Sequence, residues 1–222
     1  MNPSLIVMLT HNDKSISNAL DVFRECKDCS VEYWGFKDRG LTVNQMESLV
    51  DTLKRSRKTI YFEVVRYSEK ECLESAQLAV EMDIDYMMGG IYYDSVHELL
   101  KRTTVKYVPF CGRVSGSPSV LKGSISDIID EAREIARHGV YGFDLLAYRY
   151  MGDPVELAHT FMKAIDLPVV IAGSIRTFDQ LNMVKALNPW AFTIGSAFFE
   201  NKFGHTSIHG QIEEVIAYLH RR

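Results

Sequence analysis

Two stretches near the C-terminus decide the fold: Pro168-Val-Val-Ile-Ala-Gly173-Ser174-Ile-Arg176 and Trp190-Ala-Phe-Thr-Ile-Gly195-Ser196-Ala-Phe-Phe199. Each reads as a buried strand that runs into Gly-Ser and then into helical sequence. Two successive strands with this ending suit the seventh and eighth positions of a (β/α)8 barrel. There the loops beyond the strands hold a phosphate on backbone N–H groups at the N-terminus of a short helix. Glycine admits an anion close to the backbone, and serine adds a hydroxyl donor. Gly173, Ser174, Gly195 and Ser196 are therefore the expected phosphate-binding residues, and a bulky residue at 195 is expected to weaken the ligand more than the fold.

Working outward, apolar, β-branched or aromatic runs at 5–9, 31–36, 59–65, 86–91, 106–110 and 142–147 precede those at 168–172 and 190–194. All eight are near-continuous, as parallel strands covered on both faces should be. Amphipathic segments alternate with them. Ile16, Ala19, Leu20 and Phe23 share a helical face, as do Met46, Leu49, Val50 and Leu53. Further stripes run through Ile125–Ala136, Leu157–Ile165 and Ile212–Leu219. Ser15, Ser68, Asp94, Ser124, Asp153 before Pro154, and Thr177 are expected caps, and Gly139 is an expected C-terminal stop. Eight of each element with no Pro/Gly/Ser-rich linker predict one closed α/β barrel over residues 1–222. A doubly wound open sheet would place a Gly-rich phosphate loop after the first strand. The chain has Thr10-His11-Asn12-Asp13 there.

The composition, 46% apolar and 24% charged, is ordinary for a globular chain. A net charge of −4 gives no basic field for nucleic acid or an anionic membrane surface. No apolar run reaches the length of a membrane span, and the N-terminus lacks a signal-peptide pattern. Cys26-Lys-Asp-Cys29 is a lone CxxC with no second pair and no His pair at zinc spacing, so no metal is expected. Reduced cytoplasmic thiols are the default.

In a barrel, chemistry sits where strands end. The strand ends deliver an acid/base set of Lys37, Asp38, Glu63 and Asp144. Charges directly after apolar runs are costly unless paired or used. The bland alternative is a ring of ion pairs that holds the loops. His11, Arg113 and Arg149 are expected to contact substrate. The loop 112–119, Gly-Arg-Val-Ser-Gly-Ser-Pro-Ser, reads as a mobile lid or a plain connector.

On Ala-Gly173-Ser174 and Ile-Gly195-Ser196-Ala, together with the β/α order of the whole chain, the sequence resembles the ribulose-phosphate-binding group of TIM barrels. That group contains isomerases, epimerases, and hexulose-phosphate synthases and decarboxylases. The resemblance implies a phosphate grip at those four residues and a small phosphorylated substrate. The chain also resembles barrels labelled 4-hydroxythreonine-4-phosphate dehydrogenase, which would imply an oxidoreductase. It contains no GxGxxG fingerprint and no evident set of histidine ligands.

Two readings follow. One is an enzyme, without cofactor, that transfers a proton next to a carbonyl: an isomerase, epimerase or lyase. The other is a non-catalytic barrel that senses a phosphorylated ligand. Titratable groups converging at the end of the pocket away from the phosphate would favour the enzyme. Tyr92-Tyr93 and Phe198-Phe199 suggest a homodimer, since exposed aromatics are enriched at interfaces; packing beneath loops is the alternative.

Overall fold

In the computed structural model, which describes residues 2–221, the eight runs form eight parallel strands. They are β1 (Ser4–Met8), β2 (Tyr33–Lys37), β3 (Thr59–Val64), β4 (Tyr86–Gly89), β5 (Lys106–Val108), β6 (Phe143–Leu145), β7 (Val169–Ile171) and β8 (Ala191–Ile194). They are hydrogen-bonded in the order β6-β7-β8-β1-β2-β3-β4-β5. The barrel is nearly closed. Its last seam, β5 to β6, is made by a parallel bridge between Phe110 and Asp144 and by the Asp144 N–H donating to the Pro109 carbonyl at 3.0 Å.

Helices lie between the strands: α1 (Ala19–Cys26), α2 (Val43–Arg55), α3 (Glu69–Glu81), α4 (Asp94–Leu100), α5 (Ile125–Arg137), α6 (Pro154–Ala164), α7 (Phe178–Leu187) and α8 (Ile208–His220). A single helical turn, Ser196–Phe199, separates β8 from α8. Ser68, Ser124, Asp153 and Thr177 cap their helices as expected. Ser15 does not: Asn18 precedes α1 without a side-chain cap, and the Ser15 hydroxyl accepts from the Lys37 N–H at 2.7 Å. Asp94 is the first residue of α4 rather than its cap.

Period-two alternation sorts each strand between two cores. Trp34, Phe36, Ile60, Phe62 and Val64 belong to the outer layer beneath the helices. Ile6, Met8, Tyr61, Met88, Val108 and Val170 fill the lumen. On β2 and β3, residues paired in parallel register project to the same side. Lys37 and Glu63 are such a pair and enter the lumen together.

The N-terminal end of the lumen is filled by aromatic rings. Tyr61 stacks on Tyr86 with centroids 4.6 Å apart, and Trp190 meets Tyr86, Tyr141 and Tyr61 at 5.3, 5.4 and 6.2 Å. The Lys106 ammonium lies 4.7 Å over the Tyr86 ring and donates to its hydroxyl. This end of the barrel is packed solid, so the cavity opens at the other end.

The aromatics that suggested a dimer are used within the chain. Phe198 is fully buried in the outer core. Tyr93 donates to the Tyr67 carbonyl, and Tyr92 packs against Tyr107 and donates to Asp94. Among the described residues, no helix is long and apolar enough to cross a membrane.

Candidate active site

At the C-terminal ends of the strands lies a cavity of about 260 Å3. Its floor is an ion cluster. Lys37 Nζ is 2.5 Å from Asp13 Oδ1 and 3.1 Å from Glu63 Oε1, and all three side chains are almost completely buried. Arg149 Nη1 reaches the same Asp13 oxygen at 3.0 Å.

Asp13 arrives by way of a hairpin. Thr10–His11 pairs with Lys14–Ser15, and the two residues between, Asn12 and Asp13, are both left-handed at φ 48° and 63°. Such a turn calls for positive φ at both central positions, which Asn and Asp tolerate best after glycine. The hairpin folds back over the barrel mouth, and the Asn12 N–H donates to Ser196 Oγ at 3.2 Å.

Charge balance sets the protonation states. Burial would lower the Lys37 pKa, but the Glu63 and Asp13 carboxylates outweigh it and hold the ammonium above the ordinary lysine range. Burial would raise Asp13, but Lys37 and Arg149 hold its carboxyl below the ordinary range. Asp144 is the reverse case. Burial, reinforced by Glu63, pushes it well above the carboxylate range, and Lys37 and Arg149 offset this only in part. Both Asp144 oxygens are buried with no hydrogen-bond partner, as is Asp13 Oδ2, among the described residues. The cluster thus holds Lys37 as its ammonium and Asp13 as its carboxylate, and biases the Asp144 carboxyl towards its acid form. A Schiff base needs a neutral amine, so this lysine is set up as a cation rather than a nucleophile.

The upper wall carries the two Gly-Ser turns. Gly173 and Ser174 are both left-handed, at φ 99° and 72°. Among the described residues, no backbone hydrogen bond uses the N–H of Gly173, Ser174 or Ile175. Ser196 and Ala197 open the single-turn helix, so their N–H groups have no partner one turn back. Ser174 Oγ accepts from Arg149 Nε at 3.1 Å, and Ser196 Oγ accepts from Asn12. Each hydroxyl hydrogen is left to donate. The Lys37, Arg149, Asp13 and Glu63 charges cancel, so an anion here would rely on N–H dipoles rather than surplus cations. Arg176 is paired with Glu200 at the rim.

Gly195 is glycine for a different reason from the one its sequence suggests. Its φ of −129° is negative, but with a ψ of −93° it lies outside the regions that L residues favour. A Cβ there would lie 2.4 Å from Thr10 Oγ1, 3.1 Å from the Thr10 carbonyl oxygen and 3.2 Å from Met8 Cβ. A bulky residue would collide with the end of β1, so substitution strikes the fold directly, contrary to the sequence expectation.

Four expected residues stand apart from the cavity lining. Asp144 is fully buried beside the cluster, behind the cavity wall. Asp38 follows Lys37 and so points outward. Its carboxylate accepts from the Val65 N–H, Arg66 Nε and Ser75 Oγ at 3.0, 2.7 and 3.3 Å, tying β3 to α3. His11 is half-exposed, 3.7 Å from Glu200. Arg113 is exposed on a hairpin, Arg113–Ser115 with Val120–Lys122. That hairpin occupies the segment read as a lid or connector. Tyr67 fastens it by donating to the Gly116 carbonyl at 2.7 Å, and Pro118 forms part of the cavity wall. The sequence reading placed Asp13 at the end of the first strand but gave it no role; the Asn-Asp pair, a turn-forming dipeptide, was the available signal.

No protein-family model matches the chain, and no curated protein matches it in sequence. Solved structures do match in fold. Orotidine 5'-phosphate decarboxylase from Pyrococcus horikoshii aligns over 98% of this chain and 100% of its own, with a TM-score of 0.73 and 10% identity. N-(5'-phosphoribosyl)anthranilate isomerase from Pyrococcus furiosus aligns over 98% of both chains, with a TM-score of 0.67 and 10% identity. A glycerol uptake operon antiterminator regulatory protein from Listeria monocytogenes covers 88% of this chain and 93% of its own, at 0.62 and 16%. At such identities the likeness shows the fold, an α/β TIM barrel.

Proposed function

We propose that the protein is an enzyme that moves a proton next to a carbonyl on a small phosphorylated metabolite. The observation that carries this reading is the position of Lys37 Nζ between Asp13 and Glu63 in the same cavity that the free N–H turns of Gly173–Ile175 and Ser196–Ala197 line. A cavity of about 260 Å3 suits a ligand smaller than a drug-sized molecule. The phosphate sits at Gly173, Ser174, Gly195 and Ser196. The Lys37 ammonium faces the substrate carbonyl and stabilises the enolate that forms when a neighbouring C–H or C–C bond breaks. Glu63 takes or returns the proton, and Asp144, buried beside the cluster and outside the cavity lining, acts on the site only through Glu63 and Lys37. Arg149 holds Asp13 and Ser174 together, linking the two ends of the site. All four cysteines are free thiols, which fits the reducing cytoplasm.

The test is to incubate the protein in D2O with a panel of phosphorylated aldoses, ketoses and keto acids. Deuterium incorporation or product is read by NMR and mass spectrometry. Exchange that depends on Lys37 and Glu63 is expected. Absence of exchange across the panel, in protein that still binds a phosphorylated ligand, sinks the enzyme reading. It would leave the sensing reading, which the mutual pairing of Lys37, Asp13, Glu63 and Arg149 favours and which has a regulatory protein among the structural neighbours.

A further inference from the structure

A second cluster of reactive groups lies away from the cavity, where α1 and α8 pack together. Cys26 ends α1 and Cys29 follows it. Both are buried, and the Cys29 N–H donates to the Cys26 carbonyl at 3.0 Å, which folds the CxxC into a turn. His209 and Glu213 stand four residues apart on α8, so they project from one face. Cys29 Sγ, a His209 ring nitrogen and a Glu213 carboxylate oxygen all lie within 4.8 Å of one another. In a tetrahedral zinc centre with bonds of 2.0–2.3 Å, neighbouring donors are about 3.3–3.8 Å apart. Small side-chain movements would therefore close this set on an ion.

Further contacts orient the set. Glu213 Oε1 accepts the Ser30 N–H at 3.0 Å, which fixes the carboxylate and leaves its other oxygen as a donor. Lys58 Nζ donates to the Cys29 and Val31 carbonyls at 3.4 and 2.8 Å. It holds the connecting loop and supplies a positive charge beside what would be an anionic thiolate centre. A set of sulfur, imidazole and carboxylate is too soft for calcium or magnesium and fits zinc or a similar thiophilic ion. The sequence reading found no partner for the CxxC because the other ligands lie on the last helix of the chain.

We propose that Cys29, His209 and Glu213 bind one thiophilic divalent cation such as Zn2+. The ion joins the first helix to the last, across the β8–β1 seam that closes the chain's two ends. Nothing in this site depends on the reading of the barrel mouth.

The test uses untagged, chelator-stripped full-length protein titrated with Co2+ as a spectroscopic probe. A stoichiometric complex is expected, with tetrahedral d–d bands and a thiolate-to-cobalt charge-transfer band that Zn2+ abolishes. Cys29→Ser should remove the charge transfer. His209→Ala and Glu213→Gln, both outside the buried core and so compatible with folding, should each weaken binding at least about tenfold. Zinc should raise the melting temperature of the wild type and not of His209→Ala. No charge transfer, or equal affinity in His209→Ala and the wild type, overturns the site.

Discussion

Asp144→Asn should make the protein more stable at neutral pH, by an amount that depends on pH in a defined way. Asp144 has both oxygens buried and unpartnered, with Glu63 beside it. Its folded pKa is raised above an unfolded value of about 3.9. The favourable state is thus the acid, fully present below the unfolded pKa. As pH rises from there to the folded pKa, the unfolded chain releases a proton that the folded chain retains. The wild type then loses up to about 1.4 kcal/mol of stability per pH unit. Asparagine has nearly the same volume and opens no cavity. It leaves similar orphan polar atoms, so at acid pH the two proteins should agree within about 1 kcal/mol. Above that the variant should gain on the wild type and then level off once the folded pKa is passed. Asp13 titrates in both proteins, so its opposite contribution, lost as pH falls, largely cancels in the difference. Urea unfolding at half-unit steps from pH 3.5 to 8 measures it. A flat difference, or a variant that falls behind as pH rises, would mean that Asp144 is ionised and paired in the folded protein.

Lys37→Met leaves the buried Asp13 and Glu63 carboxylates with Arg149 alone and should cost about 3–5 kcal/mol. Lys37→Met with Glu63→Gln should recover part of that loss in the same unfolding assay, and no recovery would mean the pair is not coupled. Gly195→Ala places a Cβ against Thr10 and should destabilise by about 1–3 kcal/mol. Adding Thr10→Ala removes the closest atom, so a double-mutant cycle should show clear coupling; additive losses would place the clash elsewhere. Inorganic phosphate at about one hundred times its dissociation constant should stabilise the wild type by about 2.7 kcal/mol. No shift in melting temperature over a wide phosphate range would remove the anion site.

The barrel was legible because its signal is repeated. Eight apolar runs with helical stripes between them leave few other architectures, and the runs fall on the eight strands with ends displaced by at most two residues. Lys37, Glu63 and Asp144 could be read because each interrupts an apolar strand with a charge. Asp38 was grouped with them because strand ends look alike in sequence, yet one step along a strand reverses the side chain. Asp13 lies beyond the strand on a hairpin that turns back over the mouth, and its partnership with Lys37 is a contact between that turn and the end of β2 that no local pattern encodes. The role of Gly195 rests on the nearness of Thr10, a distance between β1 and β8 that appears only when the barrel closes.

Under the proposed enzymatic function, the ring of tyrosines and Trp190 at the far end of the lumen implies a kinetic signature. With that end filled, substrate and product both reach the cavity from the C-terminal ends of the strands, so a product that has not departed blocks the next substrate. Reactant and product must then exclude one another from the free enzyme. In steady-state measurements, inhibition by product should be strictly competitive with substrate, whichever phosphorylated metabolite the enzyme converts.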